Sequence, residues 1–270
     1  MIDFTLMETD ASAIGSHIEK WLAREPEMRP VLAFAGTGKH RAMLWGALLN
    51  EWLEATFELS DAGVAQVKLA WWGDALAKAS LESPHPLIRA FAQETGTDVP
   101  ASLWHEVAHA AQELATQDAS PADVAALLAS RLPLARSLAA VETALWPQAC
   151  AADAHALARS LVLFQWRGHR QGRTPQPGWL PLQLLARHGQ RAQAVYQGSH
   201  VAASQPLFSD LAAALLADAG PLAGPRLRRI RSRLDALALA RMREARADPF
   251  SASGFGLVWQ GWRAARGTPA

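Results

Sequence analysis

One segment after another of this chain repeats its apolar residues with a helical period, and Pro, Gly, Ser or Asp separates each segment from the next. A segment of that kind has one apolar stripe to bury and must pack helix against helix. The two-residue alternation of a half-buried strand is almost missing; the run VLAFAG from Val31 comes nearest to it. Ala and Leu, both strong helix formers, fill the segments. The expected fold class is therefore all-α, with helices at about 11–24, 39–58, 61–81, 85–95, 100–117, 121–145, 150–168, 181–188, 204–218, 223–246 and 253–266. Ser60 and Asp61 are placed to cap one helix, Ser120 with Pro121 to open another, and SPHP from Ser83 to break the chain.

No fixed-period repeat argues for a solenoid, and the longest credible loop is GRTPQPGW from Gly172. Nothing resembles an interdomain linker, so residues 1–270 are expected to form a single domain. Half of the residues are hydrophobic, enough for a substantial core. The longest apolar runs fall well short of the roughly 18 residues of a membrane span, and Met1 to Asp10 has neither the basic start nor the apolar stretch of a signal peptide. The expected location is cytoplasmic. Cys150 is the only cysteine, which excludes an intramolecular disulfide and a Cys-rich metal site.

The letters WHEVAH from Trp104 contain HExxH, the signature of helical zinc hydrolases. On a helix His105 and His109 would share a face, with Glu106 beside them as a base. Such a site needs a third protein ligand. The positions that would supply the extended motif hold Gln112 and Ala115, and the following carboxylates, Asp118, Asp123 and Glu142, are poorly placed. We therefore expect a decoy: Leu103, Val107, Ala110 and Leu114 inward, His105, Glu106 and His109 in water, and no bound metal. AFAGTGKH fails as a phosphate-binding loop, because Ala33 replaces the first Gly, His40 replaces the Ser or Thr, and no strand precedes it.

Basic residues cluster twice. From Arg226 to Arg246 there are eight Arg, with Leu227, Ile230, Leu234 and Leu237 at helical spacing. This reads as a helix with a wet basic face, or as a peripheral contact with an anionic membrane. Between Asp153 and Asp210 there is no acidic residue, while Arg159, Arg167, Arg170, Arg173, Arg187 and Arg191 lie there. That stretch attracts anions and cannot hold a hard cation.

VAQVKLAWWGDAL from Val64, HPLIRAF from His85 and ALARSLVLFQWRGHRQGRTPQPGWLPLQLLARHG from Ala156 together resemble the squalene/phytoene synthase family. The family shows an (R/K)LxWW helix, an HP step and a late LLR…GR…LP…G segment in this order. The likeness spans about Arg29 to Gly189, and Trp259 and Trp262 suit the usual ending. The resemblance implies a helical barrel of the isoprenoid synthase type around a deep apolar cavity. In active members two Asp-rich motifs on facing helices hold magnesium and help a diphosphate leave. Here the first motif falls on NEWLEATF, where only Glu51 and Glu54 are acidic, and the second on LVLFQWRGHRQGR, where Phe164 and Gly168 take the Asp positions. The chain has no Asp-Asp pair and no DxxxD, so no other alignment restores them.

The resemblance thus points to the family's degenerate, non-catalytic branch, similar to the mitochondrial complex I assembly factor. It implies a pseudoenzyme without cofactor that binds a prenyl lipid or a protein partner, with no role for nucleic acid. Leu53, Phe57, Leu163 and Phe164 are the expected cavity wall, and Arg167, Arg170 and Arg173 the expected anion or diphosphate site at its mouth. The alternative is an active, magnesium-dependent prenyltransferase of isoprenoid biosynthesis.

Overall fold

Three aspartates start three helices. The Asp61 carboxylate accepts from the N–H groups of Gly63 and Val64 at 2.8 and 3.1 Å, Asp123 from Ala126 at 2.8 Å, and Asp153 from His155 and Ala156 at 2.9 and 3.2 Å. Each satisfies first-turn donors that no helix carbonyl can reach. In the computed structural model, which describes residues 4–96, 98–173, 178–197, 201–217, 220, 222–246, 248–250 and 254–267, every regular element among the described residues is helical. In chain order these are α1 (Phe4–Arg24), α2 (Met28–Val31), a 3-10 segment (Leu32–Gly38), α3 (Lys39–Phe57), α4 (Ala62–Ala77), α5 (Pro86–Thr95), α6 (Ala101–Ala115) and α7 (Val124–Leu145). The remainder are α8 (Ala154–Arg170), α9 (Leu182–Arg187), α10 (Ala192–Tyr196), α11 (Val201–Ala217), α12 (Arg226–Arg243) and α13 (Gly254–Arg266).

The all-α expectation is met, with local corrections. VLAFAG from Val31 is helical, closing α2 and entering the 3-10 segment. The helix expected at 121–145 starts at Val124, because the Asp123 carboxylate, and not Ser120, reaches the free N–H. Helix α1 begins earlier than expected, and α2 and α10 are only four and five residues long, too short for a period to show.

Helix α3 is the hub, touching α1, α4, α5, α6 and α8. It approaches α1 closely at Gly46, where a Cβ would collide with the ring of Trp21. Buried apolar residues from Ile18 to Ala265 form one cluster. Helix α7 is long and apolar enough to cross a membrane by length and composition, yet it packs between α6 and α8. Its buried Arg131 donates to Gln165 at 2.9 and 3.2 Å, and its buried Glu142 accepts from Trp45 and Arg228 at 3.0 Å. Burial pulls the Arg131 guanidinium down to about 10.

Helix α12 lies between α8, α11 and α13, so its arginines are mostly consumed internally. Leu227, Ile230 and Leu234 are buried as expected. Arg228 and Arg231 pair with Glu142 and with Glu25 and Asp235, Arg229 donates to the carbonyls of Gly224, Ala264 and Ala265, and Arg233 donates to Gln260. Only Arg226, Arg243 and Arg246 of the eight are exposed. The continuous wet basic face that the sequence suggested is not formed.

Candidate functional site

The positions aligned with the two Asp-rich motifs come face to face where α3 meets the end of α8. Glu51, Glu54 and Glu58 sit at i, i+3 and i+7, one stripe of α3 and the residue that ends it. Across from them α1 presents His17, Lys20 and Arg24 at the same spacing. Glu51 receives His17 Nδ1 at 3.0 Å and Lys20 Nζ at 2.9 Å, with Lys68 at 3.9 Å. Lys20 also reaches Glu54 at 2.5 Å. Arg24, whose side chain is fully buried, donates to Glu54 at 3.3 Å and pairs with Glu58. Arg173 closes the group from the far side, at 3.2 Å from Glu54 and 3.4 Å from Glu58.

Phe164 and Gly168 of α8 line this cluster. The Arg24 guanidinium lies flat over the Phe164 ring, 3.7 Å from its centroid. A Cβ at Gly168 would stand 2.8 Å from Glu58 Oε1 and 3.3 Å from Arg24 Nη2, so glycine gives this pair its room. The electrostatics follow from the packing. Burial works to raise the Glu51 carboxyl, but the hydrogen bonds from His17 and Lys20 outweigh it and hold it at about 2. Burial and the neighbouring Arg173 pull Arg24 down to about 10, still charged at neutral pH. For Lys20, burial opposes the ammonium and the two glutamates prevail, so its pKa rises.

The residues that carried the family resemblance also meet. His85 of the HP step packs edge-on to Trp72 and tilted against Trp71 of the WW helix, with centroids 5.0 and 5.6 Å apart. Its other neighbour is His17, at 5.3 Å, which links this aromatic cluster to Glu51. Burial and His17 both push the His85 imidazole below its ordinary pKa.

The three arginines expected at one mouth are divided among three environments. Arg167 is buried, donating at 3.0 Å to Glu27 and to the Arg24 carbonyl and stacking 3.7 Å over Phe250. Arg173 belongs to the glutamate cluster. Arg170 is exposed and lies 5.4 Å from the Trp166 ring, in a different cavity. The sequence showed their common charge but not their partners.

The expected cavity is nearly filled. Phe57 and Phe164 pack against each other at 6.0 Å, Leu163 is buried, and Arg131 lies 5.8 Å from the Phe57 ring. What remains between α1, α3, α7, α8 and α12 is a space of about 40 Å³ bounded by Trp21, Trp45, Leu53, Phe164, Arg228 and Arg231. That is room for about one water. Most of its polar wall is paired: Trp21 Nε1 donates to Glu25 at 2.9 Å, Ser160 to Asp235 at 2.5 Å, and Arg231 to Asp235 at 3.0 Å, while the buried side-chain oxygen of Asn50 has no hydrogen-bond partner. Burial alone would raise Glu25, but Arg231 and Arg167 keep its pKa lowered.

His105 and His109 lie on the outer face of α6, 55% and 75% exposed, with Glu106 also exposed and Val107, Ala110 and Leu114 buried. His105 meets Asp74 at 3.2 Å and His109 meets Glu113 at 3.4 Å. Among the described residues no group of three His, Cys, Asp or Glu is arranged as a metal site. The helix expected at 11–24 is present as α1, but its part in this cluster is what sequence reasoning missed. The signal was present in principle, since cations at 17, 20 and 24 match the spacing of acids at 51, 54 and 58, but only pairing the two helices makes it visible.

Comparison of the chain with family models, with curated proteins and with solved structures finds no match.

Proposed function

We propose that this chain is a squalene/phytoene-synthase-like protein in which an internal ion-pair cluster stands where a catalytic member holds magnesium, and that it acts by binding a protein partner and not by transferring a prenyl group. One observation carries the reading: the fully buried guanidinium of Arg24 lies on Phe164 and pairs with Glu54 and Glu58, between the two motif positions. Magnesium asks for near-octahedral oxygen ligands and keeps several waters. The residues present do not fit it. Glu51, Glu54 and Glu58 are already neutralised by Lys20, Arg24 and Arg173, and α8 contributes a phenyl ring and a glycine. Recruiting the glutamates to a metal would strand Arg24 as an unpaired buried cation, a change that costs about 3–5 kcal/mol when such pairs are broken.

The space of about 40 Å³ beside Phe164 favours a surface-acting protein over one that stores a polyprenyl chain inside. Incubation with farnesyl or geranylgeranyl diphosphate and magnesium is expected to give no squalene and no phytoene. Either product above a no-protein control would restore the active transferase.

A further inference from the structure

Helix α8 borders a second space on its other face. Trp166, His169 and Arg170 line a half-open cavity of about 330 Å³ that α10, α11 and the end of α12 complete. The volume falls in the range of small-molecule sites. Its deep part is apolar: Trp166, Val195 and Met242 are buried, and Phe208 packs on Trp166 at 5.9 Å between centroids. Its outer part is cationic, because Arg170 and Arg246 are exposed at the edge.

None of the thirteen lining residues among those described is acidic, and ten of them fall in the acid-free stretch between Asp153 and Asp210. The bias seen in the sequence is thus gathered in space around one concavity. Two acids stand near the rim: Glu244 meets Arg246 Nε at 3.2 Å in an exposed pair of little worth, and exposed Asp248, between Arg246 and Pro249, accepts from the Phe250 N–H at 3.2 Å. The wall is also held in place. The Tyr196 hydroxyl accepts from the backbone N–H groups of Gly178, Trp179 and Leu180 at 3.0, 3.1 and 3.1 Å, fixing α10 to the segment after α8.

From this arrangement we infer that the cavity is a binding site for a small amphiphilic carboxylate, its apolar body against Trp166, Phe208 and Met242 and its head between Arg170 and Arg246. Guanidinium groups recognise a carboxylate through paired N–H donors, and an apolar recess takes the remainder of the molecule out of water. The inference does not rest on the proposed function, since the cavity lies on residues of α8 other than Phe164 and Gly168 and would serve an active transferase equally.

Isothermal titration of the full chain with decanoate, decanol and decyltrimethylammonium tests it. Decanoate is expected to bind one site per chain, at least about tenfold tighter than decanol, and to weaken as salt rises, while the cation shows no saturable binding. Arg170→Glu and Arg246→Glu should each weaken decanoate about tenfold or more, Arg170→Lys should recover part of the loss, and Arg263→Glu on α13 should change nothing. Should Arg170→Glu lose its helical circular dichroism, the exposed Arg246→Glu decides alone. No saturable decanoate binding, equal affinity for decanol and the cation, or Arg246→Glu binding as the wild type would overturn the inference.

Discussion

The two faces of helix α8 carry positive charge in opposite conditions. Toward α1 and α3, Phe164, Arg167 and Gly168 border a region where every cation has an acidic partner and where Arg24 and Arg167 are shut away from water. Toward α10, α11 and α12, Trp166, His169 and Arg170 border an open cavity whose lining holds two arginines and no acid. From sequence the whole segment is simply basic. Packing divides it, and the division teaches that the same residue type is cement on one face and a receptor group on the other. Cations that find carboxylates across a helix contact become structure, and their loss strands a buried charge. Cations at the exposed rim of an apolar recess keep their heads in water, where a docked ligand meets them.

The sharpest way to break this contrast is to remove one cation from each face. Arg24→Ala should cost about 3–5 kcal/mol in urea unfolding, because Glu54 and Glu58 lose their buried partner and Phe164 its stacked guanidinium. Arg246→Ala, at an exposed rim position, should stay within about 0.5 kcal/mol of the wild type. Similar losses at the two sites would erase the distinction.

Acid titration sharpens it further. The Glu51 carboxyl is held at about 2, below its unfolded value, so its contribution is complete above the ordinary carboxylate range and disappears as pH falls from about 5 through about 2. Its magnitude is on the order of 2 kcal/mol. A Glu51→Gln variant should be less stable than the wild type at pH 7, and the two should converge toward pH 2. Parallel melting curves across that range would show that the carboxylate draws nothing from His17 and Lys20.

The helices were legible because a packed helix must show its period. Most long ones match their expected spans to within a few residues, and the helix expected at 85–95 begins at Pro86, the last residue of the SPHP break. Short elements such as α10 offer no period to read. The candidate site was half legible. Glu51 and Glu54 of α3 and Phe164 and Gly168 of α8 were singled out, and the structure brings them together. Arg24 was not, because a charged residue at a helix end reads as solvated until the stripe that faces it is known. Arg167 was assigned to an anion for the same reason, although Glu27 already holds it. HExxH shows the reverse case, a specific spacing on a face that α6 turns to water.

The smallest effect is expected there. Replacing both His105 and His109 by Ala should leave stability within about 0.5 kcal/mol and metal content unchanged. One zinc per chain in the purified protein, lost on His105→Ala, would make α6 a metal site after all.

The central claim is that the α3–α8 contact is closed by Arg24 and does not serve divalent cations. Electron paramagnetic resonance of manganese, used in place of magnesium and titrated with and without farnesyl diphosphate, measures it directly. The account predicts that the free-ion signal keeps the intensity of the matching protein-free mixture, with or without farnesyl diphosphate, at protein concentrations up to about millimolar, in wild type and Glu51→Gln alike. Saturable loss of signal on adding farnesyl diphosphate, abolished by Glu51→Gln or Glu54→Gln, would contradict it.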